Sequence, residues 1–391
     1  MTATRIVVIG GGYAGVLAAN RLSQRGDVDI TLVNPRPMFV ERIRLHQLIV
    51  GNHSATDEFA SVLAETVRLV VDTAERIDAD AHQVHLRSGE PLTYDYLVYS
   101  VGSTAPVPAT VPGADRFAYP LGEWETARHL TARLAETPTD APIVVVGGGL
   151  TGIEAAGELA ETGRHVTLVT DVVGPSLARG GRRSVTKRLT RLGVTVVDGA
   201  AVAAVAADHV VLSDGRRLLS AATVWTAGFG VPGLAAASGL RTDRLGRLLT
   251  DETLTCIDDP SIVAAGDAAS PSGVPLRMSC QLAMPLAACA ADTVLARLDG
   301  ATPRAINPAS VGQCISVGRR AGTIQLSRFD DIAVPAHLGG RAAAAIKEAV
   351  CAGTVTFLRK EARSPGSYFW PRGGGRRRRI ARAAHEAQAA R

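Results

Sequence analysis

The sequence predicts an α/β chain of two similar halves, each a parallel sheet entered through a glycine turn, followed by a less patterned region. Two observations carry this. The stretch Arg5 to Gly15 runs from four apolar residues (Ile6, Val7, Val8, Ile9) into Gly10, Gly12 and Gly15, then into a helical pattern that ends at Gly26. From Ile143 the same order returns, with Gly147, Gly149 and Gly152 at the same spacing. Each copy goes on to a hairpin pattern and a strand closed by glycine, Gly102 in the first and Gly228 in the second.

The spacing G-x-G-x-x-G has a mechanism when a strand precedes it and a helix follows. The first glycine makes the tight turn, the second admits a pyrophosphate against the backbone, and the third lets helix and strand pack closely. The helix N-terminus then offers unpaired N–H groups to the phosphates. Tyr13 and Ala14 in the first turn and Thr151 in the second are therefore candidate contacts along with the glycines. Two such turns in one chain imply two dinucleotides.

The second strand of each half should end in a group for the ribose hydroxyls, usually an acid. Asn34 holds that place in the first half, followed by Arg36, and Thr170 holds it in the second, followed by Asp171. Asp171 favours NADH, whereas Arg179, Arg182 and Arg183 suit the 2′-phosphate of NADPH. Between the first halves' strands lies FVERIRLHQ, residues 39–47. If it is extended, Arg42, Arg44 and His46 share a face; if it is helical, Arg42 and His46 align four apart. That face either meets a cofactor or acceptor, or is simply solvated.

The rest of the chain reads in order. Leu69 to Ile77 reads as a strand, and Gln83 to Leu97 as a hairpin turning at Ser88-Gly89. Pro106, Pro108 and Pro112 mark a linker. Val210 to Leu219 reads as the second hairpin, turning at Asp214-Gly215. Glu154 reads as lying in the first turn of its helix, where it either complements the helix dipole or contacts a nicotinamide amide. SIVAAGDAAS, residues 261–270, reads as a strand ending in Gly266-Asp267, where an aspartate can accept a hydroxyl hydrogen bond or cap a helix. Met278 to Leu298 reads as a helix broken at Pro285, Cys314 to Leu326 as a hairpin, and Leu338 to Val350 as a helix. The end, with Arg376 to Arg379, reads as a glycine hinge and a solvated basic tail.

Composition bounds the possibilities. A chain of 391 residues that is 46% hydrophobic can build two or three domains. Its formal net charge is +5, much of it in the last twenty residues, so nucleic acid is not an expected partner. Five widely spaced cysteines, with no C-x-x-C pair, argue against a disulfide scaffold, and no metal site is expected. No apolar run reaches membrane-spanning length and the chain enters a strand at once, which points to a cytoplasmic protein, soluble or peripheral.

These features together resemble the two-dinucleotide-binding-domain flavoproteins of the pyridine nucleotide-disulfide oxidoreductase superfamily. The similarity is to the branch of type II NADH dehydrogenases and apoptosis-inducing-factor-like enzymes. It covers roughly residues 3–325 and rests on the two glycine turns, the VWTAG strand and the AAGDA motif. The resemblance implies two Rossmann-like domains, the second inserted in the first, plus a C-terminal α+β region. It gives residues 1–112 and 255–306 to FAD, 113–254 to NADH or NADPH, and 307–391 to an interface or acceptor region. It further implies that Asp267 meets the flavin side chain, Glu154 positions the nicotinamide and Gln281 lies near the flavin ring. Disulfide-reducing members carry a cysteine pair that this chain lacks. The expected activity is hydride transfer from nicotinamide to flavin and on to a quinone-like small acceptor, with Gln281, His46 and Arg42 as candidate catalytic groups. A ferredoxin-type protein or a pathway intermediate is the alternative acceptor, and a redox-gated binding role for the basic tail the non-catalytic alternative. A homodimer and a contact with the inner membrane face are both compatible with the resemblance.

Overall fold

The computed structural model describes residues 3–389. Four β-rich hydrophobic segments of the first half, Thr4–Ile9, Val28–Asn34, Val67–Val71 and Tyr96–Tyr99, pair in parallel. They are joined on the outer edge by Ile262–Ala264, giving the order 262–264, 96–99, 4–9, 28–34, 67–71. The sheet of the second half has the same order: Ala118–Pro120, Ala222–Trp225, Ile143–Val146, Val166–Thr170, Thr195–Asp198, all parallel. The central strands are apolar nearly throughout because helices cover both faces. Ile6, Val8, Leu32, Leu97 and Val98 are fully buried, as are their counterparts Ile143, Val145, Leu168 and Val224.

Each half also carries a small antiparallel sheet, of strands 74–78, 83–86 and 92–93 in the first and 202–205, 209–212 and 217–219 in the second. The second hairpin turns at Asp214-Gly215 as expected, with Gly215 at φ +85°. Where the closing strands exit, the two halves meet: Thr104 and Gly230 exchange backbone hydrogen bonds of 2.8 and 3.1 Å. The segments leaving Gly102 and Gly228 thus run side by side.

Several expected boundaries move. Leu69 to Ile77 is two strands in different sheets, Val67–Val71 and Ala74–Asp78. The first hairpin stops at Thr93, and Tyr96–Tyr99 returns to the parallel sheet. Residues 39–47 are neither one strand nor one helix: Met38–Val40 is a strand, Arg42–Arg44 a 3-10 turn and Leu45–Leu48 a helical turn. Pro285 does not break its helix, which runs Cys280–Leu298. At the sixth position a proline forfeits only the bond to the Gln281 carbonyl, and packing on the first helix, Tyr13–Leu22, outweighs that.

Behind both halves a three-stranded antiparallel sheet, Gly312–Ser316, Gly322–Ser327 and Ala333–Gly339, leads into a helix, Gly340–Arg363. It is much longer than the expected Leu338 to Val350. Buried Asn20 ties it to the first half by donating to the carbonyls of Val62 (2.7 Å) and Leu358 (3.2 Å). The basic tail is not simply solvated. Arg376 is buried, pairs with Glu252 at 2.8 Å and donates to the Pro271 carbonyl at 2.6 Å. A helix, Arg376–Ala389, continues from it, and the last two residues of the chain lie outside the described ones.

Candidate functional site

The two glycine turns show why each glycine is there. A Cβ on Gly10 would stand 2.4 Å from the Ser100 carbonyl oxygen, and one on Gly15 would stand 1.7 Å from the carbonyl oxygen of Gly10. In the second turn the corresponding approaches are 2.8 Å from Gly147 to the Ala227 nitrogen and 1.9 Å from Gly152 to the Gly147 carbonyl oxygen. Gly10 and Gly147 also sit at φ +101° and +111°. The middle glycines differ in kind. Nothing lies within 4 Å of the place where a Cβ of Gly12 or of Gly149 would stand. No protein atom explains a glycine there, and a phosphate group against the backbone does. Both cradles fit a dinucleotide.

Asn34 and Thr170 take matching places. Asn34 Oδ1 accepts the Gly11 N–H at 2.9 Å, and its Nδ2 donates to the Arg36 carbonyl at 2.8 Å. Thr170 Oγ1 accepts the Gly148 N–H at 2.9 Å and donates to the Val172 carbonyl at 3.1 Å. Each side chain braces its own glycine turn. Arg36 pairs with Glu125 at 2.6 Å, Arg182 bonds the carbonyls of Leu177 and Pro175, and Asp171 is exposed.

The first cradle is closed by residues far apart in sequence. Gly266 lies at φ +71°, and a Cβ there would come within 2.9 Å of the Ala14 Cβ, so the returning segment rests on the first glycine turn. Its neighbour Asp267 accepts a hydrogen bond from Ser103 Oγ at 2.7 Å. Arg42 Nη1 donates to the Ser103 carbonyl at 2.7 Å, and its Nε donates to the Gly122 carbonyl at 2.8 Å. Burial raises the Asp267 carboxyl, with the Ser103 bond and the Arg42 charge opposing, and burial lowers the Arg42 guanidinium. Asp267 does not cap a helix, because a short 3-10 turn and a strand follow it. A buried carboxylate beside the glycine turn and Gly102 suits the hydroxyls of a flavin side chain. Tyr13 packs edge-on against Phe39 at 5.2 Å, and its buried hydroxyl makes no hydrogen bond among the described residues.

A second polar cluster forms where both halves meet the long helix. Glu154, in the second turn of Leu150–Glu161 and not the first, is buried. Its Oε1 pairs with Lys347 Nζ at 3.1 Å and accepts the Ser316 N–H at 3.0 Å, and its Oε2 lies 3.7 Å from His46 Nδ1. Burial would raise the Glu154 carboxyl, but Lys347 and His46 outweigh it and hold it low. Burial opposes charge on Lys347, yet Glu154 holds its ammonium well above the ordinary value. Burial pushes the His46 imidazole down to about 4, so it is neutral at pH 7. A solvated face for residues 39–47 is therefore excluded. Arg44 is buried too, bonded to Glu41 at 3.1 Å and to Glu348 of the long helix at 2.7 Å. Gln281 opens the helix Cys280–Leu298, its Oε1 accepting from Ser310 Oγ at 3.3 Å.

Sequence reasoning missed Lys347, Ser103 and Ser316. Lys347 carried one usable signal: it is one of only three lysines in the chain and sits among alanines. No helix among the described residues is long and apolar enough to cross a membrane.

Comparison with known proteins agrees with this geometry. Residues 4–293 match the family model described as pyridine nucleotide-disulphide oxidoreductase. An NADH dehydrogenase-like protein of Mycobacterium tuberculosis is 34% identical over 297 residues, covering 68% of this chain and 73% of that protein. The type II NADH:quinone oxidoreductase NdhA of the same organism is 29% identical over 322 residues, covering 69% and 67%. In fold, the sulfide:quinone oxidoreductase of Aquifex aeolicus matches with a TM-score of 0.78 at 20% identity, covering 93% of each chain. The Plasmodium falciparum NDH2 matches at 0.77 and 14%, covering 94% and 99%. The chain belongs to the pyridine nucleotide-disulphide oxidoreductase family, as an FAD- and NADH-using oxidoreductase of NADH dehydrogenase type.

Proposed function

We propose that this protein oxidises NADH through FAD and passes the electrons to a quinone-like small acceptor. The observation that carries this reading is the cluster of Glu154, Lys347, His46 and Ser316. It joins the helix behind the second glycine turn, the loop beyond the first, and the C-terminal region in one dry place. Reduction of a quinone consumes two electrons and two protons, so its site must hold protons at defined atoms. Bound FAD supplies the redox chemistry, accepting a hydride and releasing electrons.

The chain's own groups do the rest. Residues 1–112 and 255–306 hold FAD, with Gly10, Gly12, Gly15 and Ala14 under the pyrophosphate and Asp267 on the side-chain hydroxyls. Arg42 fixes Ser103 and hence Asp267. Residues 113–254 hold the nicotinamide nucleotide, with Gly147, Gly149, Thr151 and Gly152 under its phosphates and Asp171 toward the ribose. Glu154 orients the nicotinamide end of that domain and keeps Lys347 charged. Lys347 Nζ holds a proton within reach of the cluster, and His46, neutral at pH 7, is free to accept one. Gln281 and residues 307–391 line the acceptor side. A membrane-held acceptor would be met by the stripe Ile346, Val350 and Phe357, which the long helix leaves exposed.

The test is anaerobic titration of the yellow holoprotein with NADH and with NADPH, followed by reoxidation. Bleaching by NADH and rapid recovery with a menaquinone analogue support the reading. Recovery with a small ferredoxin but not with the quinone would replace the acceptor. A protein that is purified without flavin and binds none would overturn the whole reading.

A further inference from the structure

Most arginines on this surface are paired close by: Arg5 with Asp95, Arg36 with Glu125, Arg216 with Asp214 and Arg241 with Asp258. One crevice breaks that habit. It encloses about 900 Å³ between the helix Arg179–Arg191, the turn after strand Gly312–Ser316 and the start of the long helix. Lys187, Arg191, Arg320 and Arg341 line it, and none of the four has a carboxylate within 4 Å among the described residues. Lys187 and Arg191 stand four apart on one helix, an arrangement in which like charges repel. Three separate chain segments therefore bring cations together without acids between them. The one acid in the lining, Glu161, is already engaged by the Arg319 N–H at 2.6 Å and by Arg188 at 3.4 Å. The long helix also starts here, at Gly340, with no capping side chain and no acid in its first turn. Its free N–H groups add to the same field.

We propose that this crevice binds a small polyanion carrying two or more phosphate groups. Guanidinium groups match phosphate oxygens two at a time, and four unpaired cations suit a multiply charged ligand. No aromatic side chain lines the crevice, so it recognises charge and not a base. The site is separate from the nucleotide cradles. Ala160 in its lining lies at the far end of the helix that begins after Gly149, about 17 Å away along the axis.

The experiment is calorimetric titration of the holoprotein with inorganic tripolyphosphate at 0.15 M salt, repeated with saturating NAD⁺. The expected result is one saturable site, unaffected by NAD⁺. Affinity should fall at least tenfold in K187A/R191A and again in R320A/R341A, from the two walls, and be unchanged in the distant variant R216A. Tripolyphosphate should raise the melting temperature of the wild type and not of the double variants. Without ligand, the double variants should melt no lower than wild type, because repulsion is relieved. Loss of binding at 0.15 M salt, competition by NAD⁺, equal affinity in both double variants, or binding only to vesicles of anionic lipid would each overturn the proposal.

Discussion

In the first half, the space beyond the closing strand is occupied: a Cβ on Gly102 would lie 3.9 Å from Arg42, and Gly266 presses on Ala14. In the second half, nothing lies within 4 Å of the equivalent point on Gly228, and no returning segment covers Gly149. Yet the strand order, the crowded first and third glycines and the braced middle N–H are the same in both. The strand Ile262–Ala264, which carries Asp267, makes the difference. One cradle is roofed by protein from 165 residues downstream of the closing strand, and the other is left open. A resident cofactor needs the first arrangement, and a substrate that enters and leaves on every turnover needs the second.

The strongest way to break this comparison is to disable each turn in the same manner. Gly15→Ala and Gly152→Ala each push a Cβ within 2 Å of a backbone oxygen, at 1.7 and 1.9 Å. Neither oxygen can move without opening the turn, so the cost exceeds the ~1–3 kcal/mol of ordinary overpacking. Gly15→Ala should yield colourless or unfolded protein. Gly152→Ala should stay yellow and lose reduction by NADH at least a hundredfold. The ratio of visible to ultraviolet absorbance and anaerobic bleaching read the two outcomes. If both variants lost flavin alike, the assignment of one nucleotide to each half would fail.

A smaller effect separates the buried cluster from either cradle. His46 titrates near 6.5 when unfolded and at about 4 in the fold. As pH falls through that window the unfolded chain binds a proton that the folded chain does not. Stability should therefore drop between pH 6.5 and 4, by on the order of 3 kcal/mol, and this slope levels off below 4. Glu154, whose carboxyl is held low, loses its contribution only at more acid pH. In His46→Gln the slope between pH 6.5 and 4 should flatten, as followed by denaturant unfolding at each pH. An unchanged slope would mean that other groups carry it.

Asp267→Asn probes the roof of the first cradle. It keeps the shape and removes the charge that faces Arg42 and would accept hydroxyl hydrogen bonds. Hydrogen bonds to charged groups are worth about 1.5–3 kcal/mol, so flavin should bind roughly ten- to a hundredfold more weakly, measured by fluorescence as flavin is released. NAD⁺ affinity should not move. Flavin held as tightly as in wild type would exclude Asp267 from the cofactor.

The glycine turns were legible because their constraint is local: the crowding is between residues five apart or against the adjoining strand. Gly12 and Gly149 were legible for the opposite reason, since the spacing marks where the protein must leave room. Asp267 was found from a strand that ends in an acid. Lys347 was not, because its partner Glu154 is 193 positions away and the pairing depends on how the long helix lies across both halves. The same holds for Arg44 and Glu348, which turned a stretch that reads as amphipathic into a buried joint. Pro285 misled because local propensity says break, while packing on the first helix decides otherwise.

The smallest expected effect tests whether Asn34 and Thr170 are the same device. Both accept the N–H of the middle glycine neighbour and donate to a carbonyl two residues on. If bracing the turn is their work, Thr170→Ser should be nearly silent, while Thr170→Val, which leaves the Gly148 N–H unpaired, should cost about 1–3 kcal/mol. The weakening should appear in the KM for NADH, because the turn holds the phosphates and does not touch the reacting end. In the first half, Asn34→Asp keeps the acceptor but removes the donor to Arg36. It should therefore weaken flavin binding less than Asn34→Leu, which removes both. If Asn34→Asp tightened flavin binding instead, the side chain would be reaching the ribose hydroxyls, and the two halves would differ here as they do at their roofs.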